Sequence, residues 1–166
     1  MKALIQRVSN ASVTVDNNVI SSIGVGLCIL IGISRHDTEK DMDYLVNKIL
    51  KLKIFENDDG KRWASSVSDK KYEILCISQF TLYHGLKGNG LTFHYAMAGQ
   101  DSEVFYNKFL QKLKDSYDHT KVKDGKFGAH MSVNIVNSGP VTIPLESPSE
   151  KRSSSPPAQS ETNKNG

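Results

Sequence analysis

The sequence has no apolar run long enough to form a membrane-spanning helix, so it predicts neither a membrane protein nor a membrane partner. It has only two cysteines, Cys28 and Cys76, and each lies in an apolar run typical of a buried strand. We therefore expect two free thiols rather than a disulfide or a metal pair. Residues 1–7 carry charges where a secretory signal has its apolar core. Together these absences predict a cytoplasmic protein.

The sequence also lacks a strong charge of either sign. Its 21 basic and 18 acidic residues leave a formal charge of +3, which is weak for a dedicated nucleic-acid-binding protein. Most of the basic residues are lysines, which suit diffuse attraction to phosphates better than bidentate reading of bases. The length of 166 residues and the 38% hydrophobic content predict one globular domain with a sizeable core.

Three kinds of functional motif are missing. The five histidines have no metal-ligand spacing with one another or with the cysteines, so we expect no metal. No Gly-x-Ser-x-Gly elbow is present and no histidine is tied by spacing to a serine or cysteine, which argues against a hydrolase triad. The glycine-rich residues 85–90 lack the ending of a phosphate loop. The sequence therefore predicts no cofactor.

Periodicity predicts an α+β domain in which mixed or antiparallel sheets curl towards a barrel, with two helices outside. The predicted strands cover residues 3–15, 19–23, 27–33 and 74–82, followed by two strands on either side of Gly139-Pro140. Asp16-Asn17-Asn18 predicts a hairpin turn between the first two. The helices are predicted at residues 38–53, with Thr38 as the cap, and at residues 101–117.

Two stretches combine polar side chains or bare backbone with strand ends. In residues 137–142, Asn-Ser-Gly-Pro-Val-Thr, Gly139 permits a positive φ and Pro140 has no N–H, so backbone carbonyls are left for a ligand. The same stretch also fits an ordinary turn, and its Gly-Pro bond can be cis. In residues 78–81, Ser-Gln-Phe-Thr, three hydrogen-bonding side chains meet where a buried strand ends, and a substrate or nearby backbone could satisfy them.

Together these stretches resemble the paired signatures of the D-aminoacyl-tRNA deacylases, also called D-tyrosyl-tRNA(Tyr) deacylases, in the same order and about sixty residues apart. The likeness includes Gln6-Arg7-Val8 and residues 127–131, and it extends over residues 1–145. We call residues 78–81 the SQFT motif and residues 137–142 the Gly-Pro motif. The resemblance implies an esterase that hydrolyses D-aminoacyl-tRNA to free D-amino acid and tRNA, a proofreading step in translation.

The resemblance further implies an obligate homodimer in which the Gly-Pro motif of one subunit enters the active site of the other. Gly139 and Pro140 would hold the substrate's α-ammonium through main-chain carbonyls and exclude an L side chain, while Asn137, Thr142 and Met131 would complete substrate binding and chiral selection. A backbone wall discriminates by steric exclusion, so side-chain identity matters little. Glycine has no side chain to exclude, and Gly-tRNA is therefore an expected substrate.

For the chemistry, the resemblance implies that Ser78, Gln79, Phe80 and Thr81 surround the scissile ester of the aminoacyl-tRNA 3′ end. The Phe80 N–H would be an oxyanion donor, and Thr81 would orient the reacting groups. In this family the ribose 2′-hydroxyl of the tRNA is thought to assist, so the protein would act mainly by positioning. A sister family carries proline at the position of Ser78, so Ser78 favours the D-specific branch.

Two regions depart from this account. Residues 87–93 replace a basic loop that leads into Arg-Pro-Ser-Phe in the family, which puts the contact of the loop with tRNA in question. Residues 146–166 form a Ser/Pro-rich tail that we expect to be disordered, since it cannot bury enough apolar surface to order itself. Relatives with tails have been proposed to bind DNA, so DNA binding through the basic surface and Lys151-Arg152 is the alternative function.

Overall fold

The computed structural model describes residues 1–148 of the chain. Their longest strand, β1 (Lys2–Val15), organises the sheet, because its first half pairs with one strand, its second half with another, and nearly its whole length with a third. The remaining strands are β2 (Asn18–Ile23), β3 (Gly26–Gly32), β4 (Glu73–Ser78), β5 (Gly85–Lys87), β6 (Gly90–Thr92), β7 (Val122–Asp124) and β8 (Ser132–Glu146). The helices are α1 (Glu39–Lys51), α2 (Val67–Lys70) and α3 (Gly99–Ser116), and Phe80–Tyr83 forms a 3₁₀ turn.

The main sheet is mixed and curls on itself. Strands β2, β3 and β8 run antiparallel to β1, whereas β3, β4 and β7 run parallel to one another. Strand β2 approaches β4 and β7, so the sheet is a nearly closed barrel. The β1–β2 hairpin turns at Asp16 and Asn17, both with positive φ as a two-residue type I′ turn requires, and this confirms the predicted turn.

The two longer helices cover one face of this sheet. Their buried residues pack with the apolar side chains of β1, β3 and β4 in one large core. Helix α1 begins after Thr38, whose side chain and backbone form a capping box with Asp41, as the sequence predicts. A second cluster fills the inside of the curl and is formed by Val8, Ala11, Val13, Val15, Ile23, Cys28, Leu75 and Ile77. The predicted single α+β domain with two outer helices is confirmed.

The prediction of one strand over residues 74–82 is wrong at its end. Strand β4 stops at Ser78, and the chain turns at Gln79 into the 3₁₀ turn. The Gln79 N–H makes the last hydrogen bond to β3, at 2.7 Å from the Ile31 carbonyl, and the local bond from the Leu82 N–H to the Gln79 carbonyl at 3.3 Å then closes the turn. Side-chain alternation therefore ends at Ser78, three residues before the end of the SQFT motif.

The prediction of two strands around Gly139-Pro140 is also corrected. The chain keeps strand geometry from Ser132 to Glu146, and the irregularity is a bulge within β8. Helix α2, strand β7 and the β5–β6 hairpin are absent from the predicted elements.

The last described residues belong to the fold. Glu146 pairs with Lys2, one position past the predicted boundary of the domain, and the buried Ser147 hydroxyl accepts a hydrogen bond from the Met1 ammonium at 2.6 Å. The tail prediction otherwise falls on residues 149–166, outside the described part of the chain. Within residues 1–148, no helix is long and apolar enough to cross a membrane.

Candidate active site

The SQFT motif forms a corner at the edge of the sheet. Ser78 ends β4. Because β3, β4 and β7 run parallel, their carboxyl ends lie at the same edge of the sheet. Ligand sites in such sheets gather beyond the carboxyl ends of parallel strands. Phe80 is 56% exposed, whereas Ser78, Gln79 and Thr81 are half-buried. The corner is thus accessible to a ligand, while its polar side chains are partly packed against the protein.

Hydrogen bonds tie the side chains of this corner together. The Gln79 Nε2 donates to the Thr81 Oγ1 at 2.5 Å, which leaves the Thr81 hydroxyl hydrogen available to another acceptor. The His84 Nδ1 lies 2.9 Å from the Thr81 carbonyl oxygen. Phe80 packs edge-on against Phe93, with ring centroids 4.9 Å apart. Phe80 opens the 3₁₀ turn, and N–H groups at the start of a helical turn have no acceptor within it.

The Gly-Pro motif is a bulge in the ladder between β1 and β8. Val8 pairs with Asn137 and Gln6 pairs with Thr142, so residues 138–141 lie opposite Arg7 alone. The Gly139-Pro140 peptide bond is cis, and Gly139 has a φ of 120°, which favours glycine. Both residues are exposed. The bulge therefore presents backbone, with little side chain, on the surface of the subunit.

Arg7 of the neighbouring strand β1 anchors the bulge. Its Nε donates to the Ser138 carbonyl at 3.1 Å, and its Nη1 donates to the Ile54 carbonyl at 2.6 Å. Its guanidinium also lies 6.0 Å from the centroid of the Trp63 ring. A Cβ atom on Gly139 would lie 2.8 Å from the Arg7 Nη2. Sequence reasoning named Arg7 only as part of a matching stretch, because its role depends on the register of β1 and β8.

The other predicted binding residues divide between the two motifs. Asn137 and Thr142 flank the bulge as its last paired residues. Met131 lies elsewhere, because the Lys126 N–H contacts its Sδ at 3.4 Å and a Cβ on Gly125 would lie 2.8 Å from that atom. Gly125 follows β7 at the end of the sheet where β4 reaches Ser78. Met131 therefore lies towards the end of the sheet that carries the corner, where it packs against the second cluster.

Within one chain the two motifs do not meet. The ladder places Ser78 level with Ile31 and Ala3, whereas the bulge lies opposite Arg7, four positions further along β1. Four residues along a strand and three strand spacings separate them by roughly 20 Å along the sheet. Among residues 1–148, no hydrogen bond joins residues 78–81 to residues 137–142. One subunit thus holds two separate half-sites.

Neither half-site contains an ionisable side chain, and the nearest cysteine is unreactive. Cys76 precedes Ser78 by two residues and is fully buried, and burial together with the charge of Asp124 raises the pKa of its thiol far above the ordinary value. Burial also raises the pKa of Cys28 to about 11. Both thiols stay protonated at neutral pH, so a cysteine nucleophile is excluded at the corner. Within residues 1–148, no group of three His, Cys, Asp or Glu side chains is arranged to hold a metal.

Comparison with known proteins gives a consistent result. A family model described as D-Tyr-tRNA(Tyr) deacylase matches residues 4–146. The chain is 59% identical over 151 residues to a D-aminoacyl-tRNA deacylase of Drosophila melanogaster, covering 91% of this chain and 95% of the relative. It is 55% identical to D-aminoacyl-tRNA deacylase 1 of Homo sapiens, covering 96% of this chain and 76% of the relative.

Two solved structures share the fold. One, described as the c-Myc DNA Unwinding Element Binding Protein, has a TM-score of 0.87 and 56% sequence identity, and the match covers 90% of this chain and 100% of that chain. The other, described as a probable eukaryotic D-amino acid tRNA deacylase, has a TM-score of 0.77 over 87% of this chain and 98% of that chain. Its identity of 18% supports the fold alone.

Proposed function

The chain belongs to the D-Tyr-tRNA(Tyr) deacylase family and is a hydrolase of that kind, and we propose that its SQFT and Gly-Pro motifs are the two halves of the site that cleaves D-aminoacyl-tRNA. The observation that carries this proposal is the separation of the motifs within one subunit, by three strand spacings across the sheet and four positions along β1. A hydrolytic corner and a selective backbone bulge occupy different places on the same sheet. A second copy of the chain can bring them together.

The reaction needs little from the side chains beyond positioning. Water adds to the ester carbonyl carbon, the bond from that carbon to the ribose oxygen breaks, and the ribose oxygen takes up a proton as the D-amino acid leaves. The half-buried Thr81 hydroxyl, held by Gln79 at 2.5 Å, orients the reacting groups. The Phe80 N–H lies beside it and stabilises the charge that develops on the carbonyl oxygen. A site built from neutral groups suits such a role.

Chiral selection belongs to the bulge. Gly139 and Pro140 offer backbone carbonyls to the α-ammonium of the substrate, and the absence of a glycine side chain brings the backbone close to the α-carbon. An L side chain would have to occupy the space of this backbone, whereas a D side chain points away. Asn137 and Thr142 hold the two ends of the bulge in the ladder, and Arg7 holds its first residue, Ser138. Met131 lines the corner that receives the substrate.

A homodimer follows from the incompleteness of each subunit. Strand β8 is exposed at most of its alternate positions, and its bulge stands on the surface. A long exposed strand edge is otherwise a site of unwanted pairing, so natural proteins cover it. We place the partner subunit against this strand, with its own corner facing the bulge. Two-fold symmetry then creates two identical composite sites.

Complementation between two inactive variants tests the composite site. Thr81→Val removes the hydroxyl of the corner, and Gly139→Ala distorts the bulge, because its methyl group would lie 2.8 Å from the Arg7 Nη2 at a φ that favours glycine. If each site combines the corner of one subunit with the bulge of the other, a mixed dimer has one intact site. Co-expression in equal amounts should therefore restore about a quarter of the wild-type activity, since about half of the dimers are mixed. Sites formed within single subunits would show no recovery.

The alternative of DNA binding is not favoured. The structure with 56% identity is described as a DNA-binding protein, but the family match and the relatives from Drosophila melanogaster and Homo sapiens are deacylases. A chain that ends at residue 148 separates the two activities. We expect it to release D-tyrosine from D-Tyr-tRNA at the rate of the full chain, and loss of DNA binding on this truncation would assign that binding to the tail. The two free, buried cysteines suit action in the cytoplasm, where thiols stay reduced.

A further inference from the structure

The corner that carries the SQFT motif packs against two paired residues, Lys2 of β1 and Gly32 of β3, which we call the seat. Gly32 ends β3 and is paired with Lys2 of β1. The Gln79 N–H, which begins the corner, bonds to Ile31 next to Gly32. The 3₁₀ turn then folds back over this pair of residues. The position of the turn relative to the sheet therefore depends on how closely its residues can approach Gly32.

Gly32 sets that approach. A Cβ atom at this position would lie 2.8 Å from the Leu82 Cβ, 3.3 Å from the Gln79 carbonyl oxygen and 3.3 Å from the Tyr83 Cδ2. The backbone of Gly32 is outside the left-handed region, so alanine could adopt the same conformation without strain. Glycine is therefore required here by the contact with the turn and not by backbone geometry.

Lys2 holds the turn from the side. Its ammonium donates to the Leu82 carbonyl at 3.2 Å and lies 4.7 Å from the centroid of the Tyr83 ring. Carbonyl groups near the end of a helical turn lack partners within it, and a cation there is favourable both as a donor and as a charge. Because Lys2 is half-buried, its stem also covers the edge of the turn.

We propose that Lys2 and Gly32 are positioning residues for the hydrolysis, because they fix the distance between the SQFT corner and the sheet. This inference rests on the proposed function of the SQFT motif. Neither residue touches the reacting groups. A methyl group at position 32 pushes Leu82 outward by several tenths of an ångström, and Thr81 and the Phe80 N–H move with it. Displacements of about 1 Å cost about 100-fold in rate at positioned sites.

Four variants of the full chain test the proposal, two at the seat and two as matched controls. Gly32→Ala and Lys2→Met alter the seat. Gly99→Ala adds the same methyl group where no atom lies within 4 Å, and Lys51→Met removes an exposed lysine of α1. For D-Tyr-tRNA we expect kcat to fall about 10- to 100-fold in Gly32→Ala and about 3- to 10-fold in Lys2→Met. KM should change less than about threefold, because substrate contacts remain.

A rescue and a second readout separate positioning from a general loss of stability. Lys2→Arg keeps a cation and a donor, so it should retain kcat within about twofold. Amide chemical shifts of residues 78–84 should change in Gly32→Ala and Lys2→Met and stay unchanged in both controls. Wild-type kcat together with unchanged shifts in the two seat variants would overturn the proposal. If the wild-type chain hydrolyses no D-Tyr-tRNA, the proposed function fails, and the amide shifts alone decide whether the seat positions the corner.

Discussion

Arg7 donates a hydrogen bond from its Nε to the carbonyl oxygen of Ser138 at 3.1 Å, so a strand side chain holds the first residue of a backbone bulge. The same guanidinium reaches the Ile54 carbonyl, which ties the bulge to a segment outside the sheet. Because the four residues of the bulge lie opposite Arg7 alone, the ladder does not supply regular partners for their carbonyl groups. The Arg7 side chain thus links the surface that we assign to chiral selection to β1 and to residue 54.

Removal of this anchor should reduce activity without unfolding the protein. Arg7→Ala takes the donor away from Ser138, and we expect kcat/KM for D-Tyr-tRNA to fall about 100-fold as the bulge loses its geometry. Arg7→Lys should recover only part of this loss, because a single ammonium cannot hold two carbonyl groups in the same fork. Initial rates measured with equal amounts of folded protein check this. The exposed Arg62 provides the control, and an equal loss in Arg62→Ala would contradict the assignment.

The hydroxyl of Thr81 should matter more than its shape. Thr81→Val keeps the size of the side chain but ends the hydrogen bond with Gln79, and we expect a loss in kcat of about 100-fold with a small change in KM. Thr81→Ser retains the hydroxyl and should keep most of the activity. Single-turnover rates with D-Tyr-tRNA make the comparison. Equal rates for the valine and serine variants would show that the Thr81 hydroxyl has no role in the hydrolysis.

The cysteines should be inert in the native protein. Burial raises the pKa of Cys28 to about 11 and raises the pKa of Cys76 well above its ordinary value, so almost no thiolate is present at neutral pH. We expect both thiols to react with a disulfide reagent at less than about a tenth of the rate of a free thiol, because thiolate and access are both required. Both should react at once in denaturant. A rapidly modified thiol in the native protein would contradict the described core.

Acid should weaken the start of α1 through Asp41. Burial raises the pKa of this carboxyl, but hydrogen bonds from the Ser147 hydroxyl and from the Thr38 N–H and hydroxyl outweigh burial and hold it below the ordinary value. A carboxyl whose pKa is lower in the folded than in the unfolded chain stabilises the fold above its unfolded pKa. That stability is lost as the pH falls through the folded pKa.

The corresponding variant is Asp41→Asn. We expect its free energy of unfolding, measured by denaturant titration, to depend less on pH than that of the wild type between about pH 5 and pH 2. Asp101→Asn removes an exposed carboxylate from the first turn of α3 and serves as the control. The account of Asp41 is wrong if wild type and Asp41→Asn lose stability in parallel over this range.

Local signals predicted the elements whose geometry is set locally. Thr38 with Asp41 predicted the start of α1, and Asp16-Asn17 predicted the hairpin between β1 and β2. Helix α2 has a similar signal, since Ser66 and Asp69 form a capping box, and the same reasoning could have found it. Its four residues contain too little periodicity to draw attention.

The site depends on contacts that a linear pattern cannot show. Residues 74–82 alternate like a strand, but after Ser78 the chain turns through a local bond from the Leu82 N–H to the Gln79 carbonyl and packs closely over Gly32. The role of Arg7 likewise follows only from the register of β1 against β8. The resemblance to a family identified the motifs, and the functional roles of their residues stay predictions. The structure adds that the two motifs are far apart within one subunit.

A chiral filter at Gly139-Pro140 is tested most directly by following loss of the ester from matched D-Tyr-tRNA and L-Tyr-tRNA with the wild-type chain and with Gly139→Ala. We expect rapid loss of the D form alone with the wild type. We also expect loss of this activity in Gly139→Ala, because the added methyl group lies 2.8 Å from the Arg7 Nη2 and alanine is strained at the φ of 120° that Gly139 adopts. Equal hydrolysis of both forms by the wild type would contradict a chiral filter at Gly139-Pro140. Unchanged D-specific activity in Gly139→Ala would place the filter elsewhere.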